Sequence, residues 1–293
     1  MATKSTKSTA KPDTSAYKSR NAGESEVITI ELQNLLTLAS VLLSGIMISL
    51  SIFFSIKNYV GGNVLGATNT NTTTDTTTAA QPTQTASLDQ IKDLFKKGNM
   101  YFGDADRDVL FAVFEDPSCP YCHIASGHNA ELNKSAGGQF LLTADGGTYV
   151  APVIEMKKLL DEKKASFVYV YSNGHGNGVL ATQALYCAYD KDKFWQVHDK
   201  LMSAEGYDMI NNTVKNDTAQ SGTLANFLAS AIDKNYMKSC LESGKYASKV
   251  AQDDQLAGTY GVSGTPAFFV NDKLYGGAYN WTDMKSVVDA ALN

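Results

Sequence analysis

The longest apolar stretch lies near the start of the chain. From Leu32 to Ile56 no residue is charged over 25 positions, and LLTLASVLLSGIMISLSIFF (35–54) forms its centre. About 20 apolar residues at 1.5 Å each cross a ~30 Å hydrocarbon core, so the pattern predicts one transmembrane helix over 32–57. Ser40, Ser44, Ser49 and Ser51 can bond back to their own helix and do not veto it. The run is long for the apolar region of a cleaved signal peptide. Cleavage near Ala67 and a buried core helix are the alternatives. Before it, residues 1–31 are rich in Lys, Ser and Thr with little to bury, and read as a disordered tail. After it, residues 58–87 read as a Thr/Asn-rich tether, with ten Thr and one charge (Asp75) in 61–87.

Residues 88–293 carry a different pattern. Ser87-Leu88-Asp89-Gln90 resembles a capping box, with Ile91, Leu94 and Phe95 following at helical spacing. Asp108–Phe114 is a continuous apolar run, as expected of a buried strand. Residues 152–163 read as an amphipathic helix and Ser166–Tyr171 as a second strand. Asn173–Gly178 (NGHGNG) is a loop, and 179–256 look mostly helical. Pro266–Val270 is a third strand, turning through Asn271-Asp272 into Lys273–Tyr275. Trp281, Met284, Val287, Val288 and Ala291 form one stripe of a last helix. The order strand–helix–strand, helical block (about 177–256), strand–turn–strand–helix predicts an α/β fold. Its mixed sheet has helices on its faces, and the block is inserted between two halves of the sheet. Residues 125–152 are long for a link and hold Gly137, Gly138, Gly146 and Gly147, which suggests loops or a hairpin.

Charge changes the picture in two ways. Five Lys/Arg precede the apolar run, and after it only Lys57 appears before Lys92. The positive-inside rule then puts the N-terminus in the cytoplasm and the globular part outside. That part carries nineteen Lys/Arg against twenty-five acids, which argues against a nucleic-acid partner. A single apolar span argues against a multi-span transporter.

The candidate chemistry is Cys119-Pro120-Tyr121-Cys122, placed between a strand and a helix. At a helix N-terminus the free N–H groups and the macrodipole stabilise a Cys119 thiolate. Thiols in such motifs fall from about 8.5 to roughly 3.5–7.5. Cys122, one turn in, is suited to resolving a mixed disulfide. Pro120 is tolerated because the first turn needs no donor. Other readings are a structural disulfide and a zinc site, the latter lacking a second close pair. Cys119–His123 also matches the Cys-x-x-Cys-His signature of c-type haem, with His123 as axial ligand. His123 otherwise reads as a solvated helix residue. Thr265-Pro266 opens the third strand; as a cis bond it would turn a backbone edge towards Cys119, and as a trans bond it merely starts the strand. Cys187 and Cys240, on the oxidising side of the membrane, are expected to pair; two buried free thiols are the alternative.

Three ordered motifs resemble the DsbA-like branch of the thioredoxin superfamily: Phe114–Cys122, Lys193-Phe194-Trp195 with His198 and Leu201, and Cys240–Val270 ending in Gly-Val-Ser-Gly-Thr-Pro. The resemblance covers about 100–292. It implies a thioredoxin fold with an inserted helical domain over 88–293, and an extracytoplasmic thiol–disulfide oxidoreductase that introduces disulfides into exported proteins with free thiols. It implies Cys119 as the attacking thiol, Cys122 as its buried partner and Thr265-cis-Pro266 as the substrate-facing loop. It also implies reoxidation by a quinone-linked membrane partner, with no dissociable cofactor and no metal. Phe194 and Trp195 are expected in the core of the insertion. Many relatives place a buried acid six residues before the first cysteine. That position is Val113, and Glu115 and Asp116 are expected to face elsewhere. A reductase or isomerase shares the same constellation. A non-catalytic client-binding module and a c-type haem electron carrier are the alternatives from other classes.

Overall fold

The computed structural model describes residues 86–95 and 98–293. The expected tail (1–31), transmembrane helix (32–57) and all but the last two residues of the tether (58–87) lie outside them. Among the described residues no helix is long and apolar enough to cross a membrane.

The first helix, α1 (Leu88–Leu94), starts at the capping box: Ser87 Oγ accepts from Gln90 N at 3.3 Å and Gln90 Oε1 accepts from Ser87 N at 2.8 Å. Five strands follow in one sheet, in spatial order β1 (Met100–Phe102), β3 (Ala165–Tyr171), β2 (Val109–Glu115), β4 (Ala267–Val270), β5 (Lys273–Gly276). β2 and β3 are parallel, and every other pair is antiparallel. β1 was not legible from the sequence, because three residues are too few to show a period. Between β2 and β3 lie α2 (Pro120–Ser126), α3 (Ala130–Ser135) and α4 (Pro152–Asp161).

Strand alternation divides the core. Val109, Phe111 and Val113 of β2 face one side with Phe167 and Tyr169 of β3; Leu110, Ala112 and Phe114 face the other with Val168 and Val170. The first side carries α4, the helical block and the last helix, α11 (Trp281–Leu292). That block holds α5 (Val179–Tyr189), α6 (Phe194–Leu201), α7 (Ala204–Asp208), α8 (Ser221–Phe227) and α9 (Lys234–Glu242). The second side is covered by α1 and the end of α10 (Ala247–Thr259).

Phe194 and Trp195 sit at the seam between insertion and sheet rather than inside the insertion. The Phe194 ring is 5.1 Å from Phe102 and 5.6 Å from Tyr169, and Trp195 is 5.0 Å from Phe167. The segment 125–152, expected as loops or a hairpin, holds the end of α2, then α3 and two 3-10 turns. Its one strand-type pairing is a single parallel bridge, Leu142 to Tyr149, so no hairpin forms.

Cys187 of α5 and Cys240 of α9 form a disulfide across a separation of 53 residues, with Cα atoms 6.2 Å apart. Closing that loop restricts the unfolded chain by roughly 4 kcal/mol in the chain-entropy model. Replacing both residues with Ala is expected to lower the unfolding free energy by roughly 2–4 kcal/mol in denaturant titrations. A loss below about 0.5 kcal/mol would show that the staple contributes nothing.

Candidate active site

β2 ends at Glu115 and the chain turns through Asp116-Pro117-Ser118 into α2, with Cys119 as its N-cap (φ −77°, ψ 126°) and Pro120 at the first helical position. The turn is held from several directions. Asp116 is fully buried, and its Oδ1 accepts from Ser118 N (2.8 Å) and Ser118 Oγ (2.6 Å). Its Oδ2 accepts from Gly174 N (2.9 Å) and His175 N (2.8 Å) in the loop after β3. Four donors on one carboxylate satisfy a charge that would otherwise be costly to bury. From the insertion, Asn211 Nδ2 donates to Ser118 O at 3.1 Å.

Two glycines permit this closeness. A Cβ on Gly178 would collide with Asp116 Oδ1, and one on Gly174 would collide with Thr265 Oγ1. The NGHGNG stretch is therefore a buttress wedged between the cysteine turn and the Thr265-Pro266 loop.

The Thr265-Pro266 bond is cis, and the Cys119 thiol donates to Thr265 O at 3.4 Å. Cys119 is 5% exposed, Cys122 is wholly buried, and Met202 packs on both. The two sulfurs are free thiols with opposite leanings. The Cys119 pKa is lowered to about 6. The Cys122 thiol's hydrogen bond to it is the largest cause; burial opposes it, and Thr265 and the N–H groups of Cys122 and Tyr121 add to it. The Cys122 pKa is pushed well above its ordinary value by burial first, then by Cys119 and the Glu115 charge. The Cys119 thiolate thus adds stability to the reduced fold that is fully present above about pH 9 and is lost as pH falls through about 6.

Several expectations need correction. His123 is not solvated: it is wholly buried, with Nε2 2.8 Å from Pro117 O and Nδ1 2.9 Å from Met202 O. Burial lowers its pKa to about 4 even though both nitrogens face carbonyls. It ties α2 to the insertion, and its ring lies 4.9 Å from Tyr207. With both nitrogens engaged and Cys122 buried, the residues do not fit a haem axial site. Cys187 and Cys240 are joined to each other and cannot complete a zinc site with Cys119 and Cys122. Glu115 and Asp116, expected to face away from the position of the buried acid, are both fully buried. The period-two pattern of β2 held the signal for Glu115, which falls on the same face as Phe111 and Val113. The signal for Asp116 was its place two residues before Ser118, the local chemistry of an Asx turn.

Tyr121 is 49% exposed and its ring lies 5.9 Å from Phe140, so the 125–152 segment stands beside the cysteine motif. Phe140 and Tyr149 line a cleft of about 490 Å³ together with Tyr279 and Asp283.

Gly174→Ala is expected to displace Thr265, cost roughly 1–3 kcal/mol of stability and slow exchange at Cys119 severalfold. Gly258→Ala, where a Cβ meets nothing within 4 Å, serves as the control. Stopped-flow reaction with reduced glutathione, alongside denaturant unfolding, checks this. Equal behaviour of the two variants would refute the buttress.

Comparison with known proteins agrees with this geometry. A family model described as Thioredoxin matches residues 154–290, a span that begins after the cysteine pair. Disulfide bond formation protein D of Bacillus subtilis is 24% identical over 201 residues, covering 67% of this chain and 78% of that protein. Na(+)/H(+) antiporter NhaA 3 of Salinispora tropica is 23% identical over 194 residues, covering 65% of this chain but only 24% of that protein. The crystal structure of oxidised BdbD from Bacillus subtilis shares the fold with a TM-score of 0.50 at 24% identity, covering 72% of this chain and 96% of that one. In sequence and in fold the chain is similar to DsbA-type thiol–disulfide oxidoreductases of the thioredoxin superfamily.

Proposed function

We propose that this protein is a membrane-anchored, extracytoplasmic oxidase that introduces disulfides into exported proteins with free thiols. The observation that carries the reading is the split between the two sulfurs, the Cys119 pKa lowered to about 6 and that of Cys122 raised. A stabilised Cys119 thiolate favours the reduced protein, which makes its disulfide a good oxidant. Anchoring rests on the charge-free run 32–56 and on the five Lys/Arg before it. The client class rests on that topology and on the printed name of the Bacillus subtilis relative.

The steps follow from the geometry. A client thiolate attacks Cys119 Sγ, the Cys119–Cys122 bond breaks, and its electron pair leaves on Cys122 Sγ. The mixed disulfide lies beside Thr265 and Pro266, whose loop presents backbone to an extended client. A second client thiolate attacks the client sulfur and expels Cys119 as its stabilised thiolate. The client leaves oxidised by two electrons and the protein reduced by two. A quinone-linked membrane partner then accepts those electrons. Pro120 and Tyr121 shape the exposed edge of the motif, and no dissociable cofactor takes part.

A reductase or isomerase uses the same residues in the opposite direction, and the redox potential separates the two. Against a glutathione buffer the Cys119–Cys122 pair is expected well above thioredoxin's roughly −270 mV, towards DsbA's roughly −120 mV. A value near the former overturns the oxidase direction. Cys119→Ser is expected to abolish exchange with a reduced peptide; a binding module without redox chemistry would keep its function.

A further inference from the structure

Three side chains of the insertion reach the cysteine turn or the groups behind it. Met202 packs on both sulfurs, Nε2 of His198 lies 3.5 Å from Glu115 Oε2, and Asn211 Nδ2 donates to Ser118 O. Of the three side chains, Asn211 is the one that bonds to the backbone of the turn. It comes from an unusual element. Between α7 and α8 the chain winds as a π-helix, Met209–Val214, closed by Lys215 N donating to Ile210 O at 3.0 Å. Such turns are rare and collect at functional sites. The chain leaves it through Lys215 and Asn216, both left-handed at φ 45° and 63°, a backbone that persists at a lysine when its surroundings hold it. Asn216 supplies such a hold: its Nδ2 donates to Gly176 O at 2.7 Å and its Oδ1 accepts from Leu180 N at 3.1 Å. An α-helix would set residues five apart about 140° from each other around its axis. The wider i→i+5 turn lets Asn211 and Asn216 both reach the cysteine turn and the loop beside it.

Every polar atom of the Asn211 amide is used. Its Nδ2 donates to Ser118 O (3.1 Å) and Tyr207 O (3.2 Å), and its Oδ1 accepts from Asn177 Nδ2 (3.2 Å). Carbonyl oxygens only accept, so this set fixes which way the amide points. Asn177 N in turn donates to Ser118 Oγ at 3.1 Å. The Ser118–Cys119 peptide is thereby bonded at both ends, its N–H to Asp116 O at 2.9 Å and its carbonyl to Asn211. The carbonyl before it, Pro117 O, lies 2.8 Å from His123 Nε2. Both carbonyls that lead into Cys119 are therefore engaged by other partners, while the N–H groups of Tyr121 and Cys122 act on its sulfur. A donor stabilises a thiolate, and a carbonyl oxygen turned towards it repels it. Thr265 O already stands 3.4 Å from the sulfur, so a second carbonyl there would oppose the anion further.

We propose that Asn211 is a positioning residue for disulfide exchange: from the π-helix it holds the Ser118 carbonyl off the Cys119 sulfur, so that first-turn N–H groups face that sulfur and Cys119 departs readily as a thiolate. The inference rests on the exchange reading above. In that reaction Cys119 is expelled with the electron pair of the broken S–S bond, and a sulfur whose negative charge is better held leaves faster. Asn211 carries no charge, so it acts through the direction of one peptide unit. The titratable groups around Cys119 are separate from it. Cys122 and His123 lie on the same helix as Cys119, Asp116 is buried in the turn with four donors, and Tyr207 on the insertion has its hydroxyl in the field of Cys119. Each stays in place when Asn211 is replaced.

The test compares wild type, Asn211→Leu, Asn177→Ala and the control Asn212→Ala, each checked for native unfolding. Leucine is close to asparagine in size and cannot donate. Asn177→Ala removes the bond that orients the Asn211 amide and leaves Asn177 N on Ser118 Oγ. Asn212 lies on the same π-helix and bonds to Asp208 Oδ1 at 2.6 Å. Two readouts follow that a merely structural role would not move: thiolate absorbance of the reduced protein against pH, and equilibrium with glutathione. Asn211→Leu is expected to raise the Cys119 midpoint by at least about half a pH unit. The same variant is expected to shift the equilibrium towards the protein disulfide by at least about threefold. Asn177→Ala is expected to move both in the same direction by less, and Asn212→Ala to keep the wild-type values. A folded Asn211→Leu with the wild-type midpoint and equilibrium overturns the positioning role alone. A wild type that does not exchange with glutathione overturns the functional reading, and the midpoints of the variants still decide whether Asn211 acts on Cys119. Should Asn211→Leu fail to fold, Asn177→Ala decides, and a midpoint unchanged from wild type overturns the inference.

Discussion

The carboxylate of Asp116 is the fixed point on which the site depends. It is fully buried and receives four hydrogen bonds, two from Ser118 and two from the backbone of Gly174 and His175. The bonds from Gly174 and His175, with that from Asn177 N to Ser118 Oγ at 3.1 Å, join the turn after β2 to the loop after β3 above the parallel strand pair. With the turn locked, Cys119 has no freedom but to cap α2, and the loop behind it presses Gly174 against Thr265. A charge in the interior is tolerated only when its lone pairs are filled, and filling them is what draws the three segments together.

From that arrangement the division of labour between the cysteines follows. Cys119 gathers stabilising partners: the Cys122 thiol, Thr265 and first-turn N–H groups. Cys122, one turn deeper, is wholly buried with a carboxylate nearby, and so resists ionisation. Two identical side chains three residues apart acquire opposite acidities through environment alone. The insertion is part of this environment. Met202, His198 and Asn211 all come from it, and each touches the cysteine turn or the groups behind it.

Much of the fold could be read from the sequence because strands and helices there obey simple periods. The apolar run of β2, the capping box before α1 and the stripe of α11 all occupy the elements their patterns indicate. The inserted block was visible as a long helical stretch between two strand-bearing halves. What escaped depends on contacts between distant segments. β1 is three residues long and is defined by pairing with β3. His123 looks solvated in a helix of seven residues until Pro117 and Met202 close over it. Glu115 sits at the end of an apolar run, where an acid reads as a strand terminus and not as a buried partner for His198. Glycine clustering in 173–178 announced a loop, but its need for closeness to Asp116 and Thr265 is a tertiary fact.

The opposed ionisation of the two sulfurs underlies every later step of the chemistry, and a thiolate absorbance titration of the reduced protein tests it directly. One thiolate is expected to appear with a midpoint near pH 6, abolished by Cys119→Ser, and the second only well above the ordinary value of about 8.5 for a free cysteine. Two thiolates appearing together near that ordinary value would contradict it.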